Sequence, residues 1–271
     1  MLKIGVCGCG AIGTELCKAI DEGDIDVELY AIYDRTKEHV ARLKEQLKNT
    51  EPLVLDIIEM TKRVDLVVEC ASQQAVYDIV PTALRAKCDV MTISAGAFAD
   101  RELLRTTQEL ARENGCRVYL PSGAISGLDG LRSAASAEIY SVTLTTHKHP
   151  RGLAGAPYII QNNIDLDAIT GKTTIFEGTA MEATRAFPAN VNVAATLSIA
   201  GIGFEKTKVT IIADPALSRN IHEISVEGKF GAFTTRVENV PSPTNPKTSY
   251  LAALSVITTL KEITNPLHVG T

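Results

Sequence analysis

No cysteine occurs after Cys116, and the six in the chain (Cys7, Cys9, Cys17, Cys70, Cys88 and Cys116) form no CxxC pair and meet no paired histidines. That spacing excludes a zinc site of the usual kind, and no metal is expected. Cys7, Cys70 and Cys116 lie in or beside apolar runs, where a free thiol behaves as a small buried hydrophobe. Six reduced thiols point to a cytoplasmic protein. Positive charge is not in excess either: 27 Lys and Arg stand against 32 Asp and Glu, a net charge of −5. The global field that holds nucleic acid or an anionic membrane is therefore absent. No apolar run reaches the ~20 residues that cross a bilayer. The longest weakly polar tract, residues 191–204, is interrupted by Asn192, Thr196 and Ser198. The start, MLKIGVCGCG, turns to glycine before an apolar leader core can form, so no secretory leader is expected. With 45% hydrophobic residues and only 11 Pro and 19 Gly in 271, the chain has a globular balance and room for one large domain or two modest ones. Small-molecule chemistry becomes the leading class.

What is present is an alternation. Residues 2–7 are a short apolar run that stops in glycines and gives way to apolar residues at helical spacing. A β-branched and aromatic run at 27–33 precedes a Lys- and Glu-rich helix at 36–48. The continuous apolar run 64–70 reads as a strand buried on both faces, followed by a helix at 75–86 and a strand at 89–94. Residues 101–114 form an amphipathic helix closed by Gly115, before a strand at 116–120. Strands separated by helices predict an α/β layer with a doubly wound parallel sheet over residues 1–121. After Pro121 the pattern changes. Residues 122–130 are glycine-rich, and strands at 142–146, 173–176, 207–213, 222–229 and 232–237, with a helix at 191–201, predict a second α+β domain over 122–245 with a mainly antiparallel sheet. A proline-rich loop then offers Thr244 or Asn245 as N-cap and Pro246 as first residue of a helix at about 246–264, expected to pack back on the first domain.

The sequence GCGAIG, residues 8–13, satisfies GxGxxG directly after a strand and at the opening of a helix. Gly8 suits a tight turn, Gly10 lets the backbone approach a pyrophosphate, and Gly13 permits close helix–sheet packing, while the N–H groups of Ala11, Ile12 and Gly13 open the helix. Asp34 ends the second strand about 20 residues later, where a carboxylate accepts the adenosine ribose hydroxyls. Arg35 beside it suits a 2′-phosphate, so the cofactor is NAD or NADP on a Rossmann-type domain. Ala71, Ser72 and residues 94–96 end later strands, where ligands of open α/β sheets lie. Glu69, a carboxylate in an apolar strand, reads as structural, because an unpartnered buried charge is costly.

Four segments together, GCGAIG, PSGAISGLDGLRSA (121–134), FPANVNVAATLSIAG (187–201) and ADPALSRNIHEISVEGKFG (213–231), resemble the L-aspartate dehydrogenase family across nearly the whole chain. The resemblance implies NAD(P)-dependent oxidation of L-aspartate to iminoaspartate, then oxaloacetate and ammonia, in the service of NAD biosynthesis. It also implies cofactor contacts at Ala124 and Asn190 and a catalytic histidine at His222. One departure is HKHPRGL at 147–153, where the family shows Lys-Pro-Pro.

Taken without the family, His222 opens an alternating apolar strand, and an imidazole of ordinary pKa near ~6.5 exchanges protons at neutral pH. His39 and His268 read as solvent-facing. His147 and His149 share one face of a strand and Lys148 takes the other, so either the pair or the lysine lies near substrate. A dicarboxylate needs positive charge or N–H donors at two points. Lys148, Arg185, Arg219 and Lys247 are candidates, with Asn192 at a helix start. A related two-domain reductase of the dihydrodipicolinate reductase type and a non-catalytic NAD(P)-sensing module remain open. A thioester-forming aldehyde dehydrogenase does not, since the second half has no cysteine nucleophile. An antiparallel second-domain sheet suits pairing across a two-fold axis, which predicts a homodimer.

Overall fold

The computed structural model describes residues 1–188, 191–242 and 245–270. The chain forms two compact units, Met1–Gly123 with Ala252–His268, and Ala124–Leu251 with the last residues. The first unit runs β1 (Leu2–Cys7), α1 (Ala11–Asp21), β2 (Val27–Tyr33), α2 (Lys37–Lys44), β3 (Leu53–Val54), α3 (Ile57–Met60), β4 (Leu66–Glu69), α4 (Gln73–Arg85), β5 (Asp89–Thr92), α5 (Arg101–Asn114) and β6 (Val118–Tyr119). Its six strands lie in the order β3-β2-β1-β4-β5-β6, all parallel. This is the doubly wound order, whose switch point falls between β1 and β4. β4 is buried along its length, as its unbroken apolar run predicts. The ends of α5 follow local chemistry: the Asp100 carboxylate accepts from the N–H groups of Glu102 and Leu103, and Gly115 closes it at φ +68°.

Asp21, the last residue of α1, is a tie not visible along the sequence. Its buried carboxylate accepts from the N–H groups of Lys48 and Asn49 at 2.8 Å each, and from the N–H and hydroxyl of Thr50 at 2.7 and 2.8 Å. Burial works to raise its pKa, but these hydrogen bonds outweigh it and hold the carboxyl below its ordinary value. Asp21→Ala is expected to destabilise the first unit by about 2–3 kcal/mol in urea unfolding at neutral pH, the worth of several charge-assisted hydrogen bonds lost together. Because the folded pKa is depressed, the contribution is present above the unfolded pKa of about 4 and is lost as pH falls through the folded one. The gap between variant and wild type should therefore close in acid.

The second unit runs α6 (Leu128–Ala134), β7 (Ile139–Lys148), α7 (Pro157–Gln161), β8 (Thr173–Thr179), α8 (Ala180–Ala186), α9 (Asn192–Ala200), β9 (Lys208–Ala213), β10 (Asn220–Gly228), β11 (Gly231–Asn239), β12 (Pro241–Ser242) and β13 (Asn245–Ser249), and leads into α10 (Tyr250–Thr264). Its sheet has the order β11-β10-β7-β9-β8, antiparallel except for β7 beside β9. Thr179 and Glu182 close a reciprocal cap at the start of α8.

One expectation needs correction. The last helix does not open at Pro246: residues 245–249 are the strand β13 paired with β12, and helix begins at Tyr250. Long-range pairing overrides a sound local N-terminal signal. The glycine-rich segment after Pro121 also contains the start of α6, with Gly127 at φ +85° as its N-cap. In the first unit, Val256 and Leu260 of α10 are fully buried in the cluster formed by Ile4, Val6, Leu16 and Leu29. Among the described residues no helix is long and apolar enough to cross a membrane.

Candidate active site residues

The loop from β1 to α1 separates its three glycines by physical role. Gly8 sits at φ +104°, and a Cβ there would lie 2.6 Å from the Cys70 carbonyl carbon and oxygen. A Cβ on Gly13 would lie 1.9 Å from the Gly8 carbonyl oxygen. Gly10 has nothing within 4 Å, so its open side is left for something that approaches the backbone. No side chain caps α1 and no acidic residue occupies its first turn, which leaves the N–H groups of Ala11, Ile12 and Gly13 for an anion. This donor set fits a dinucleotide pyrophosphate. Gly10→Ala is expected to keep wild-type thermal stability while weakening NAD(P) binding tenfold or more, whereas Gly13→Ala should lose stability itself. Calorimetry of both variants with and without cofactor checks the distinction.

Asp34 follows β2 and is held from three sides. Its oxygens accept from the N–H groups of Cys9 and Thr36 at 2.8 Å each, and His39 Nδ1 lies 3.4 Å away. Burial pushes its pKa up, but the hydrogen bonds from Thr36, Cys9 and His39 prevail and keep it below the ordinary value. His39 thus belongs beside this carboxylate and is not simply solvent-facing. Arg35 is exposed. All six cysteines are free. Burial pushes the Cys9 thiol up to about 12, so the loop's own cysteine is no nucleophile. Ala71 and Ser72 are exposed after β4, and the Ser72 hydroxyl caps α4 by accepting from Ala75 N–H.

In the second unit the strand register decides between the two readings of the HKH segment. His222 pairs with Thr146, and Lys148 lies two residues further along β7 on that same face. His147 lies on the other face, where its Nε2 is 3.7 Å from a Glu223 oxygen and makes no hydrogen bond. Lysine and catalytic candidate therefore share a face and the histidine pair does not. Thr146 and Lys148 line a recess with Leu144, Val209, Ile211 and Ala194, beneath α8 and α9. Thr146 Oγ1 is 3.0 Å from His222 Nδ1, which leaves Nε2 as the nitrogen without a partner among the described residues.

Burial, then the charge of Lys148, then His147 push the His222 pKa down to about 3, well below the ordinary value the sequence reading assumed. Its ring is therefore neutral at neutral pH and, in the free protein, only weakly basic. Burial pushes Lys148 down to about 8. Arg185 and Arg219 are exposed, so Lys148 is the half-buried cation on the His222 face. Ala124 is buried, and its carbonyl accepts from Asn239 Nδ2 at 3.0 Å. Asn192 is the first residue of α9, whose N-cap residue Val191 supplies no side-chain hydrogen bond. Asn190 lies outside the described residues, as does the side chain of Lys247.

Residues 8–121 match the family model for the homoserine dehydrogenase NAD-binding domain, and residues 129–263 match that for the aspartate dehydrogenase C-terminal domain. The L-aspartate dehydrogenase of Methanococcoides burtonii is 74% identical over 271 residues, covering all of both chains. The chain belongs to the L-aspartate dehydrogenase family. The family's Methanosarcina mazei member is 59% identical, again over the full length of both. The crystal structure of aspartate dehydrogenase from Thermotoga maritima superposes with a TM-score of 0.80 at 31% identity, covering all of each chain. As in the family, the first unit is an NAD-binding domain and the second a distinct domain with a mixed sheet.

Proposed function

We propose that this aspartate dehydrogenase family member oxidises L-aspartate with NAD or NADP, in the cytoplasm and as a homodimer, and supplies iminoaspartate to NAD biosynthesis. Aspartate and NAD(P)⁺ give iminoaspartate, NAD(P)H and a proton; water then gives oxaloacetate and ammonia. The observation that carries the reading is the shared face of His222, Thr146 and Lys148: a neutral base beside a half-buried cation. Bound NAD(P) supplies the hydride acceptor.

The chain's own residues do the rest. Gly8, Gly10, Gly13 and the first-turn N–H groups of Ala11 and Ile12 hold the pyrophosphate, and Asp34 accepts the adenosine ribose hydroxyls. Ala71, Ser72, Ala124 and Asn190 are assigned to the nicotinamide half. His222 takes a proton from the substrate amino nitrogen as Cα gives up hydride, releases it to solvent, and as a neutral ring again accepts a proton from the water that adds to the imine. Lys148 faces one substrate carboxylate, and Asn192 with the start of α9 offers donors to the other.

The test is growth of the reduced-nicotinamide absorbance band across a panel of amino acids. Response to aspartate supports the proposal; binding of NAD with no responding substrate would leave a sensor. In the same assay, Asp34→Ala is expected to raise the KM for NAD about tenfold or more, by loss of a charge-assisted acceptor, and to affect NADP less, because Arg35 remains. An unchanged NAD to NADP ratio would remove Asp34 from the ribose site.

A further inference from the structure

Glu69 ends β4 with no solvent exposure. A buried carboxylate must be matched by donors, and this one is matched five times. Oε1 accepts from Ala71 N–H at 2.8 Å, Ser72 N–H at 3.0 Å and the Ser94 hydroxyl at 2.9 Å. Oε2 accepts from the Thr92 hydroxyl at 2.5 Å and Ser94 N–H at 3.2 Å. Three of the donors are backbone N–H groups, which can only donate, and among the described residues no basic side chain takes part. The five partners come from two neighbouring strand ends. Ala71 and Ser72 lead from β4 into α4, while Thr92 and Ser94 carry β5 into the turn at Ala95–Ala99.

The sheet order gives this tie a location. Asp34 places the adenosine half over the β2 side of the switch point, so the other half of a dinucleotide runs over β4 and β5. We infer that Glu69 is the positioning residue for the nicotinamide half of the cofactor: it fixes the β4 and β5 loops as one rigid wall. This rests on the reading that NAD(P) binds across the first unit's sheet. A glutamine in its place cannot serve. If its nitrogen takes the Oε2 position it faces Ser94 N–H, and if turned about it faces the N–H groups of Ala71 and Ser72. At least one backbone donor loses its acceptor in either orientation, and the two loops separate.

The experiment compares binding of NAD with binding of ADP, which carries the adenosine half and its diphosphate but no nicotinamide. In wild type, NAD should bind tighter than ADP; if neither binds, the cofactor reading itself fails, independently of Glu69. In Glu69→Gln the NAD Kd is expected to rise about tenfold while the ADP Kd stays within about twofold. Ser94→Ala removes one of the five bonds and keeps the carboxylate, and should shift the NAD Kd alone, by a smaller factor. It carries the test should Glu69→Gln not fold. Equal loss of NAD and ADP binding, or no loss of either, would overturn the inference, because a support for the domain as a whole does not change the ratio of the two.

Discussion

Replacing His222 with alanine is expected to lower turnover of L-aspartate by ~10²–10⁴-fold, the usual contribution of a positioned acid–base group, while cofactor binding at the first unit's glycine loop persists. The expectation starts from placement. β10 is clamped between β7 and β11 in continuous register around His222, so the ring is presented from a rigid strand. Thr146 occupies Nδ1 and leaves Nε2 to act. In the free protein burial and the Lys148 charge push its pKa down to about 3, which makes the ring neutral but weakly basic. The two carboxylates of bound substrate offset the Lys148 charge and restore basicity when a proton has to be taken. The acid limb of kcat should therefore lie at higher pH than that of kcat/KM, and the kcat limb should vanish in the variant. Near wild-type turnover with the limb intact would remove His222 from the chemistry. Cofactor titration and circular dichroism of the same variant separate loss of chemistry from loss of fold.

The geometry of the glycine loop was legible because it is local. Glycines at fixed offsets after a strand, and an acid at the next strand end, each act through their own backbone position: Gly8 has a positive φ, Gly13 packs on the Gly8 carbonyl, and Asp34 accepts from the N–H groups of Cys9 and Thr36. Non-local features were not. Asp21 is a structural residue because residues 48–50 fold back onto it, and His39 meets Asp34 through the geometry of a turn. The alternation of His147 and Lys148 was readable, but which face met His222 depended on the pairing of β7 with β10, a long-range register that one strand does not encode. The lowered pKa of His222 was illegible for the same reason: it depends on burial of the ring and on the charge of Lys148, which strand pairing brings near from a distant part of the sequence. At Pro246 an acceptable helix start lost to a strand partner at 241–242, so a local propensity of a kcal/mol or so (roughly) yielded to tertiary pairing.

Lys148→Met is expected to weaken dicarboxylate binding by ~10²-fold or more, since removing one member of a desolvated charge pair costs about 2–5 kcal/mol. Succinate is the informative probe: it carries both carboxylates but no amino group, and its own ionisation is nearly complete above about pH 6.5. In the wild type, burial pushes Lys148 down to about 8, and the ammonium is present below that pH and lost above it. The inhibition constant of succinate against aspartate oxidation should then be flat from pH 6.5 to 7.5 (roughly) and rise by up to about tenfold per unit beyond 8. Lys148→Met should be weak and pH-independent over the same range. Lys148→Arg should keep much of the affinity and lose the alkaline rise, because a guanidinium stays charged throughout. A wild-type constant that does not change across pH 8, or a methionine variant that still shows the rise, would assign the substrate carboxylate to another donor. In that case the start of α9 at Asn192 becomes its site, since Arg185 and Arg219 stand exposed.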